Sequence, residues 1–157
     1  RPVAWRACGE NGITAAQAHK QLLPQVLEQP FDLALLVFGV NDTTRLTSLS
    51  RWDAALGSMA AALSARGARV AFSSVPPLQH FSALPGLLRW LLGMRAGLLD
   101  ARLRQLAARL GAGHHAVELE FSPEYLARDG YHPSGLGYRV WAEGLAISLA
   151  PAARCAP

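Results

Sequence analysis

Three short segments of this 157-residue chain carry groups of the kind that acyl transfer requires. Asp129 and His132 are three residues apart, so the carboxylate can accept a hydrogen bond from one imidazole nitrogen while the other nitrogen faces a nucleophile. Asn41 carries an amide that can donate to a developing oxyanion, and the Gly12 N–H can approach one closely because glycine has no Cβ. We expect Asp42, beside Asn41, to brace its turn rather than to take part in chemistry.

The elements that must position these residues follow from the hydrophobic pattern, which alternates between short β-type runs and longer helical ones. The clearest strand is the continuous apolar run 33–38, which is typical of a strand buried on both faces by helices. Strands are predicted over residues 3–8, 33–38, 69–73 and 115–119. Helices are predicted over residues 15–28, 50–66, 84–110, with a break near Gly93 or Gly97, and from the Ser134 cap to about 149, where Pro151 ends the helix.

Strands that alternate with helices predict an α/β fold in which a parallel sheet lies between helices in a single domain. Ligands of such sheets bind beyond the carboxyl ends of the strands. Gly12, Asn41 and the pair Asp129 and His132 follow the first, second and last predicted strands. We therefore expect all of them to face one crevice.

The composition is that of a globular domain, since 51% of the residues are hydrophobic. The 15 basic residues, all arginine except Lys20, give a net charge of +4 but are scattered singly, which argues against a nucleic-acid partner. The most apolar region, residues 81–99, contains Pro85 and two arginines and does not indicate a membrane span. Cys8 and Cys155 form neither a metal-ligand spacing nor a disulfide framework.

The three segments together resemble sequence blocks of a known enzyme family. In chain order they read G-I-T at 12–14, G-V-N-D at 39–42 and D-G-Y-H at 129–132, each at the end of a predicted strand. They are similar to the second, third and fifth blocks of the SGNH, or GDSL-type, hydrolases. One such block is common by chance, whereas three in the right order across nearly the whole chain form a specific signal.

The resemblance implies a flavodoxin-like three-layer α/β/α sandwich and a serine hydrolase of esters, an esterase or lipase. His132 would be the general base, Asp129 its orienting partner, and Gly12 and Asn41 two donors of the oxyanion hole. The substrate would be a small-molecule or lipid ester. The resemblance implies no metal and no organic cofactor.

The chain departs from the family at one decisive point, because the first block, Gly-Asp-Ser, is absent. That block carries the nucleophile at the end of the family's central strand. We therefore expect residues 1–157 to be a single, N-terminally incomplete domain whose serine and central strand lie in a preceding segment of the same protein. Such a segment needs about 30 or more residues, the size of a βαβ unit. We expect residues 1–157 alone not to form a stable enzyme.

No serine within the chain matches the nucleophile position. Ser73 and Ser74 end a predicted strand near the crevice, but the corresponding family position is not the nucleophile. Ser134 is expected to cap the final helix.

Four other interpretations remain open. A degenerate or fragmentary α/β domain could serve as a binding module without catalysis. Cys8, at the end of the first predicted strand, could be a thiol nucleophile paired with His132. His114 and His115 could suggest a metal, but no further ligand stands at a suitable spacing, which favours a strand entrance. The apolar segment 81–92 is expected to pack under the sheet; alternatively, it binds an acyl chain or contacts a lipid surface.

Overall fold

The computed structural model describes residues 3–116, 119 and 122–153, without the side chains of 151–153. The elements within these residues are, in chain order, helices α1 (Ala15–Gln21) and α2 (Leu23–Val26), strand β1 (Leu33–Leu36), helices α3 (Val40–Thr44) and α4 (Leu49–Ala65), strand β2 (Arg69–Ser73), a 3-10 helix (Leu78–His80), helix α5 (Gly86–Leu110), strand β3 (Gly113–His115) and helix α6 (Gly135–Ala153).

The three strands form one parallel sheet in the order β1-β2-β3. Leu33 pairs with Arg69 at the start of the first ladder, and Ala71 pairs with Gly113 at the start of the second. Parallel strands joined through helices confirm the predicted α/β fold. The carboxyl ends of the strands lie at the same edge of the sheet, so the segments that follow β1 and β2 emerge side by side.

The core is centred on β2, of which residues 70–73 are all buried. Helices α4 and α5 pack against this strand and against each other, with Trp52 and Phe72 fully buried in the cluster. The Trp52 indole donates a hydrogen bond of 3.3 Å to the Leu99 carbonyl, which satisfies its buried N–H. Burial of these large side chains fixes β2 relative to the two long helices.

Where one helix is predicted over residues 15–28, the structure has the two shorter helices α1 and α2. The predicted start at residue 15 is correct. Thr14 caps α1 with a capping box, in which its Oγ1 accepts from the Gln17 backbone and the Gln17 side chain accepts from the Thr14 backbone. Pro24 lies in the first turn of α2. A proline has no N–H for the carbonyl four residues earlier, so the chain ends α1 and starts a new turn.

The strand predicted over residues 3–8 is wrong. These residues are exposed and form no strand; Val3 is 88% and Trp5 is 84% exposed. The described chain supplies no neighbouring strand that could pair with them, and an isolated extended segment gains no ladder hydrogen bonds. Of the other strands, β2 has the predicted bounds and β1 ends two residues early. The strand predicted over residues 115–119 is misplaced, because β3 spans Gly113–His115 and shares only His115 with it; residues 117 and 118 lie outside the described residues.

Two helix expectations are also wrong. Helix α5 continues without a break through Gly93 and Gly97. Gly93 has a packing role instead, because a Cβ there would lie 2.7 Å from Gln79. Helix α6 continues to Ala153, since Pro151 removes only one hydrogen bond near the helix end. None of the helices in the described part of the chain is both long and apolar enough to cross a membrane.

Candidate active site

The segment 39–42 leads from β1 directly into helix α3, where sequence reasoning had predicted only a turn. Gly39 has a φ of +124°, and a Cβ at this position would lie 2.6 Å from the Val75 side chain. Glycine therefore allows the chain to turn sharply beside the end of β2. The result is that Asn41 and Asp42 lie just beyond the carboxyl end of β1.

Asn41 contacts the segment that contains Gly12. Its Nδ2 donates a hydrogen bond of 3.0 Å to the Ile13 carbonyl, and no other acceptor in the described chain takes its second amide hydrogen. Gly12 has a φ of +72°, and its own N–H has no acceptor among the described residues. Two predicted site residues are thus brought together, each with a donor that is not used within the described structure.

Asp42, the neighbour of Asn41, connects α3 to the start of α1. Its side chain is fully buried, and its Oδ2 accepts a hydrogen bond of 3.0 Å from the Ala15 N–H at the start of α1. Burial disfavours the charged carboxylate and raises the pKa of Asp42. The expected bracing role is seen in this bond, which joins α3 to α1.

Asp129 and His132 form a compact pair. The distance between His132 Nδ1 and Asp129 Oδ2 is 2.7 Å, and Asp129 Oδ1 accepts from the backbone N–H groups of Tyr131 at 2.9 Å and His132 at 3.0 Å. The bond from the His132 side chain and these two backbone bonds hold the pKa of Asp129 far below its usual range. The carboxylate is therefore ionised and fixes the orientation of the imidazole.

The outer side of this pair is open. The His132 side chain is 62% exposed and that of Asp129 is 52% exposed. His132 Nε2 has no hydrogen-bond partner in the described part of the chain. The imidazole is thus held from one side, and its second nitrogen is available to another group.

The loop that carries the pair is held by backbone contacts. The Gly130 carbonyl accepts a hydrogen bond of 3.2 Å from Ala83, and a Cβ on Gly130, which has a φ of +65°, would lie 2.6 Å from Ser82 Oγ. The Ala127 N–H donates to the His132 carbonyl at 2.8 Å. The loop therefore packs closely on the segment before α5.

Ser134 follows this loop and caps α6, as predicted. Its Oγ accepts from the Gly137 N–H at 3.1 Å and donates to the Glu124 carbonyl at 2.7 Å. The hydroxyl proton is used in the second bond. This engagement agrees with its interpretation as a cap.

Tyr131 is a site residue that sequence reasoning missed. Its ring packs edge-on against Phe81 with a centroid distance of 5.4 Å, and its hydroxyl approaches the Thr44 side chain on α3. Thr44 is three residues from Asn41, so Tyr131 lies close to the helix of Asn41. The only sequence signal was its place between Asp129 and His132.

Other candidates lie apart from these contacts. Cys8 is an exposed free thiol in the segment wrongly predicted as a strand, and no contact between it and His132 is seen. His114 Nε2 is 2.9 Å from Asp100 Oδ1, and His115 Nδ1 is hydrogen-bonded to Ser148. Within the described residues, no three His, Cys, Asp or Glu side chains cluster as metal ligands would.

The segment 81–92 packs under the sheet only in part. Phe81 and Leu92 are buried, but Leu87, Leu88 and Trp90 are exposed. One helix can bury only the face that it turns to the core, and this segment carries large apolar residues all round. The expectation that the whole segment is packed is therefore wrong.

Comparison with known proteins identifies the family of this chain. The sequence profile of the GDSL-like Lipase/Acylhydrolase family matches residues 1–140. The chain belongs to this GDSL-like family. A GDSL-like esterase of Mycobacterium tuberculosis (strain ATCC 25618 / H37Rv) is 31% identical over 132 residues, which are 79% of this chain and 42% of that protein. The GDSL-like chain thus spans less than half the length of that relative.

Solved structures show the same fold. A GDSL-like lipase from Bacteroides thetaiotaomicron has a TM-score of 0.73 at 21% identity, over 90% of this chain and 73% of the other. The psychrotrophic esterase EstA from Pseudoalteromonas sp., in a structure inhibited by monoethylphosphonate, has a TM-score of 0.71 at 15% identity, over 89% of this chain and 73% of the other. At these identities the likeness establishes the GDSL-like fold.

Proposed function

We propose that this GDSL-like polypeptide hydrolyses carboxylic esters by acyl transfer, with a serine that lies outside the 157 residues as nucleophile. The observation that carries the proposal is the hydrogen bond between Asp129 and His132, which leaves His132 Nε2 open. An imidazole oriented by a carboxylate and open on its other side is what a general base requires. Tyr131, the neighbour of this base, lies close to the helix that carries Asn41.

The reaction follows from these positions. His132 Nε2 takes the proton of the serine hydroxyl as the serine oxygen attacks the ester carbonyl, while ionised Asp129 stabilises the imidazolium. The Gly12 N–H and the second amide hydrogen of Asn41 donate to the oxyanion. His132 then returns its proton to the leaving alcohol. A water molecule, activated by His132 in the same way, releases the acid and restores the serine.

The open edge of β1 supports a serine from outside the chain. Within the described sheet β1 pairs only with β2, and Leu33 and Val37 on and beside it are exposed. A further parallel strand on this edge would complete the backbone pairing, and its carboxyl end would lie beside that of β1. We infer that residues 1–157 are one domain completed by such a strand, and that a Gly-Asp-Ser turn ends it.

The stripe of exposed apolar residues on α5 supports a further part of the proposal. Leu87, Leu91, Met94 and Leu98 recur at intervals of three or four residues and are all exposed. The helix begins beside the loop of His132, since Ala83 contacts Gly130. We propose that this α5 stripe binds the acyl chain of the substrate or contacts a lipid surface, so that long-chain or lipid esters reach the site.

Removal of the base tests the proposal. In the natural full-length polypeptide, His132→Ala is expected to lower kcat for a soluble ester by about 10⁴-fold or more, because nothing else accepts the serine proton. His19→Ala, on helix α1, is the matched control and should leave the rate unchanged. Release of the alcohol product, followed spectrophotometrically, measures both rates. A near-normal rate in His132→Ala would refute the assignment.

The main rival is a binding module that kept the fold without catalysis. It predicts no ester hydrolysis by the natural polypeptide, and a preceding sequence that lacks a strand ending in Gly-Asp-Ser. A thiol hydrolase instead predicts that Cys8→Ala abolishes activity, whereas we expect this variant to be as active as the parent.

A further inference from the structure

Arg45 directly follows α3 as its C-terminal cap, on the same face as Asn41. The two residues are four apart, and the Arg45 N–H donates to the Asn41 carbonyl at 2.9 Å in the last turn of the helix. Residues at this spacing project one above the other from a helix. The side chains of Asn41 and Arg45 therefore leave α3 in the same direction, toward the segment that contains Gly12.

The Arg45 guanidinium lies directly over Gly12. Its Nη2 is 3.1 Å from the position that a Cβ of Gly12 would occupy, whereas Asn41 reaches the neighbouring Ile13 carbonyl. Any larger residue at position 12 would crowd this cation. The missing side chain of Gly12 thus allows the guanidinium to lie close to an N–H that has no acceptor in the described chain.

Unlike Arg102 and Arg104 of α5, Arg45 has no counter-charge among the described residues. Arg102 is paired with Asp53, and Arg104 with Asp100. No carboxylate of the described residues lies within ion-pairing distance of Arg45, which is exposed. A guanidinium presents a planar fork of donors that matches a carboxylate. No described residue accepts a hydrogen bond from this fork, which lies beside the two donors assigned to the oxyanion hole.

We propose that Arg45 is a specificity residue that binds a carboxylate carried by the substrate close to the scissile ester. The substrate class is then a carboxylate-bearing ester, either a half-ester of a dicarboxylic acid or an ester of a hydroxy acid. The proposal rests on the proposed function, since Gly12 and Asn41 define where the ester carbonyl lies. The free carboxylate loses little hydration at this exposed position, so the contact favours charged substrates over neutral ones.

Matched ester pairs test this proposal in the natural full-length polypeptide. Monoethyl succinate is compared with ethyl butyrate for charge on the acyl side, and acetoxyacetate with propyl acetate for charge on the alcohol side. Arg45→Gln should lower the ratio of kcat/KM for the charged ester to that for the neutral ester by about tenfold or more in one pair. Arg45→Lys should restore part of the ratio.

Arg66→Gln is the matched control, because Arg66 is an exposed arginine that ends α4 in the same way, away from Gly12. It should change neither ratio. The pair that responds to Arg45→Gln identifies the side of the ester that carries the charge. Equal losses on charged and neutral esters would overturn the proposal, because they would mean that Arg45 only supports the Gly12 segment, and so would unchanged ratios.

A binding measurement separates this proposal from the proposed function. Sodium succinate is titrated against sodium chloride at equal ionic strength, and the amide resonance of Gly12 is followed by NMR. We expect a saturable shift. Arg45→Gln should raise the Kd for succinate by about tenfold or more, and Arg66→Gln should leave the Kd unchanged. Absence of a saturable shift overturns the anion site even if esters are cleaved, whereas a shift without ester cleavage overturns only the proposed function.

Discussion

The two halves of the candidate site are built in different ways. The half formed by Gly12 and Asn41 is held by two hydrogen bonds between distant segments. One joins Asn41 to Ile13, 28 residues away, and the other joins the fully buried Asp42 to Ala15, 27 residues away. The half formed by Asp129 and His132 is closed by hydrogen bonds within four consecutive residues, and both side chains are more than half exposed.

Because of this difference, substitutions in the two halves should affect stability and activity to different degrees. Changes beside Asn41 act on contacts that also join α1 to α3, so they should affect folding and activity together. Changes at His132 act on a local turn, so they should affect activity with little effect on folding. The exposure of the second half leaves His132 open to another group, as the proposed function requires.

The first prediction tests whether the Asn41 half is both structural and catalytic. Asn41→Ala in the natural polypeptide should lower kcat by about 100-fold or more, because one oxyanion donor is lost. It should also lower the free energy of unfolding by about 1 kcal/mol, because the Ile13 carbonyl loses its partner. Rate assays and urea unfolding measure the two effects.

Asn11→Ala, in the exposed turn before Gly12, is the control and should change neither quantity. Loss of stability in Asn41→Ala with an unchanged kcat would leave the residue purely structural. The Gly12 and Asn41 half would then lose its place in the oxyanion hole.

The second prediction concerns the apolar residues at the start of α5, namely Leu87 of the α5 stripe and its exposed neighbours Leu88 and Trp90. Simultaneous truncation of Leu87, Leu88 and Trp90 to alanine should lower kcat/KM for long-chain esters by about tenfold relative to acetyl esters, because the acyl chain loses apolar contact. Hydrolysis of an acetyl to dodecanoyl series of esters measures the ratio. Equal losses along the series would mean that these residues only pack.

The third and smallest effect contrasts the two aspartates by pH. Burial raises the folded pKa of Asp42 above its ordinary value of 3.8, so the unfolded state ionises first as pH rises, and stability from this group falls above that value. Hydrogen bonds lower the pKa of Asp129, so its contribution is lost instead as pH falls below 3.8. The two groups therefore change stability with opposite signs.

Unfolding of Asp42→Asn and Asp129→Asn from pH 3 to 6 checks these signs. The free energy of unfolding of the parent minus that of Asp42→Asn should decrease as pH rises. The free energy of unfolding of the parent minus that of Asp129→Asn should increase as pH rises. The same slope for both variants would contradict the contrast between a buried and an exposed carboxylate.

The sequence was sufficient for those parts that depend on local pattern. Strand β2, the start of α1 at Ala15 and the cap at Ser134 were predicted because the relevant residues are neighbours in the chain. The parallel sheet followed from the alternation of strands and helices. The positions after the strands then indicated which side chains to consider for the site.

The remainder depended on contacts between distant segments. Residues 3–8 have a strand-like composition, but the described chain offers them no pairing partner. The role of Tyr131 arises from Phe81 and Thr44, and that of Arg45 from Gly12, and neither contact has a signal in the local sequence. A break was predicted at Gly93 because glycine is unfavourable inside a helix. Its packing against Gln79 was not predictable, because Gln79 belongs to another segment of the chain.

The most direct test of the central claim is to label the natural full-length polypeptide with a serine-directed ethylphosphonate and to map the modified residue by mass spectrometry. The reagent is chosen because the Pseudoalteromonas esterase is inhibited by monoethylphosphonate. We predict one modified serine, in a Gly-Asp-Ser sequence outside residues 1–157, and no label after His132→Ala. A label on a serine within these residues or on Cys8, or no label at all, would contradict the account.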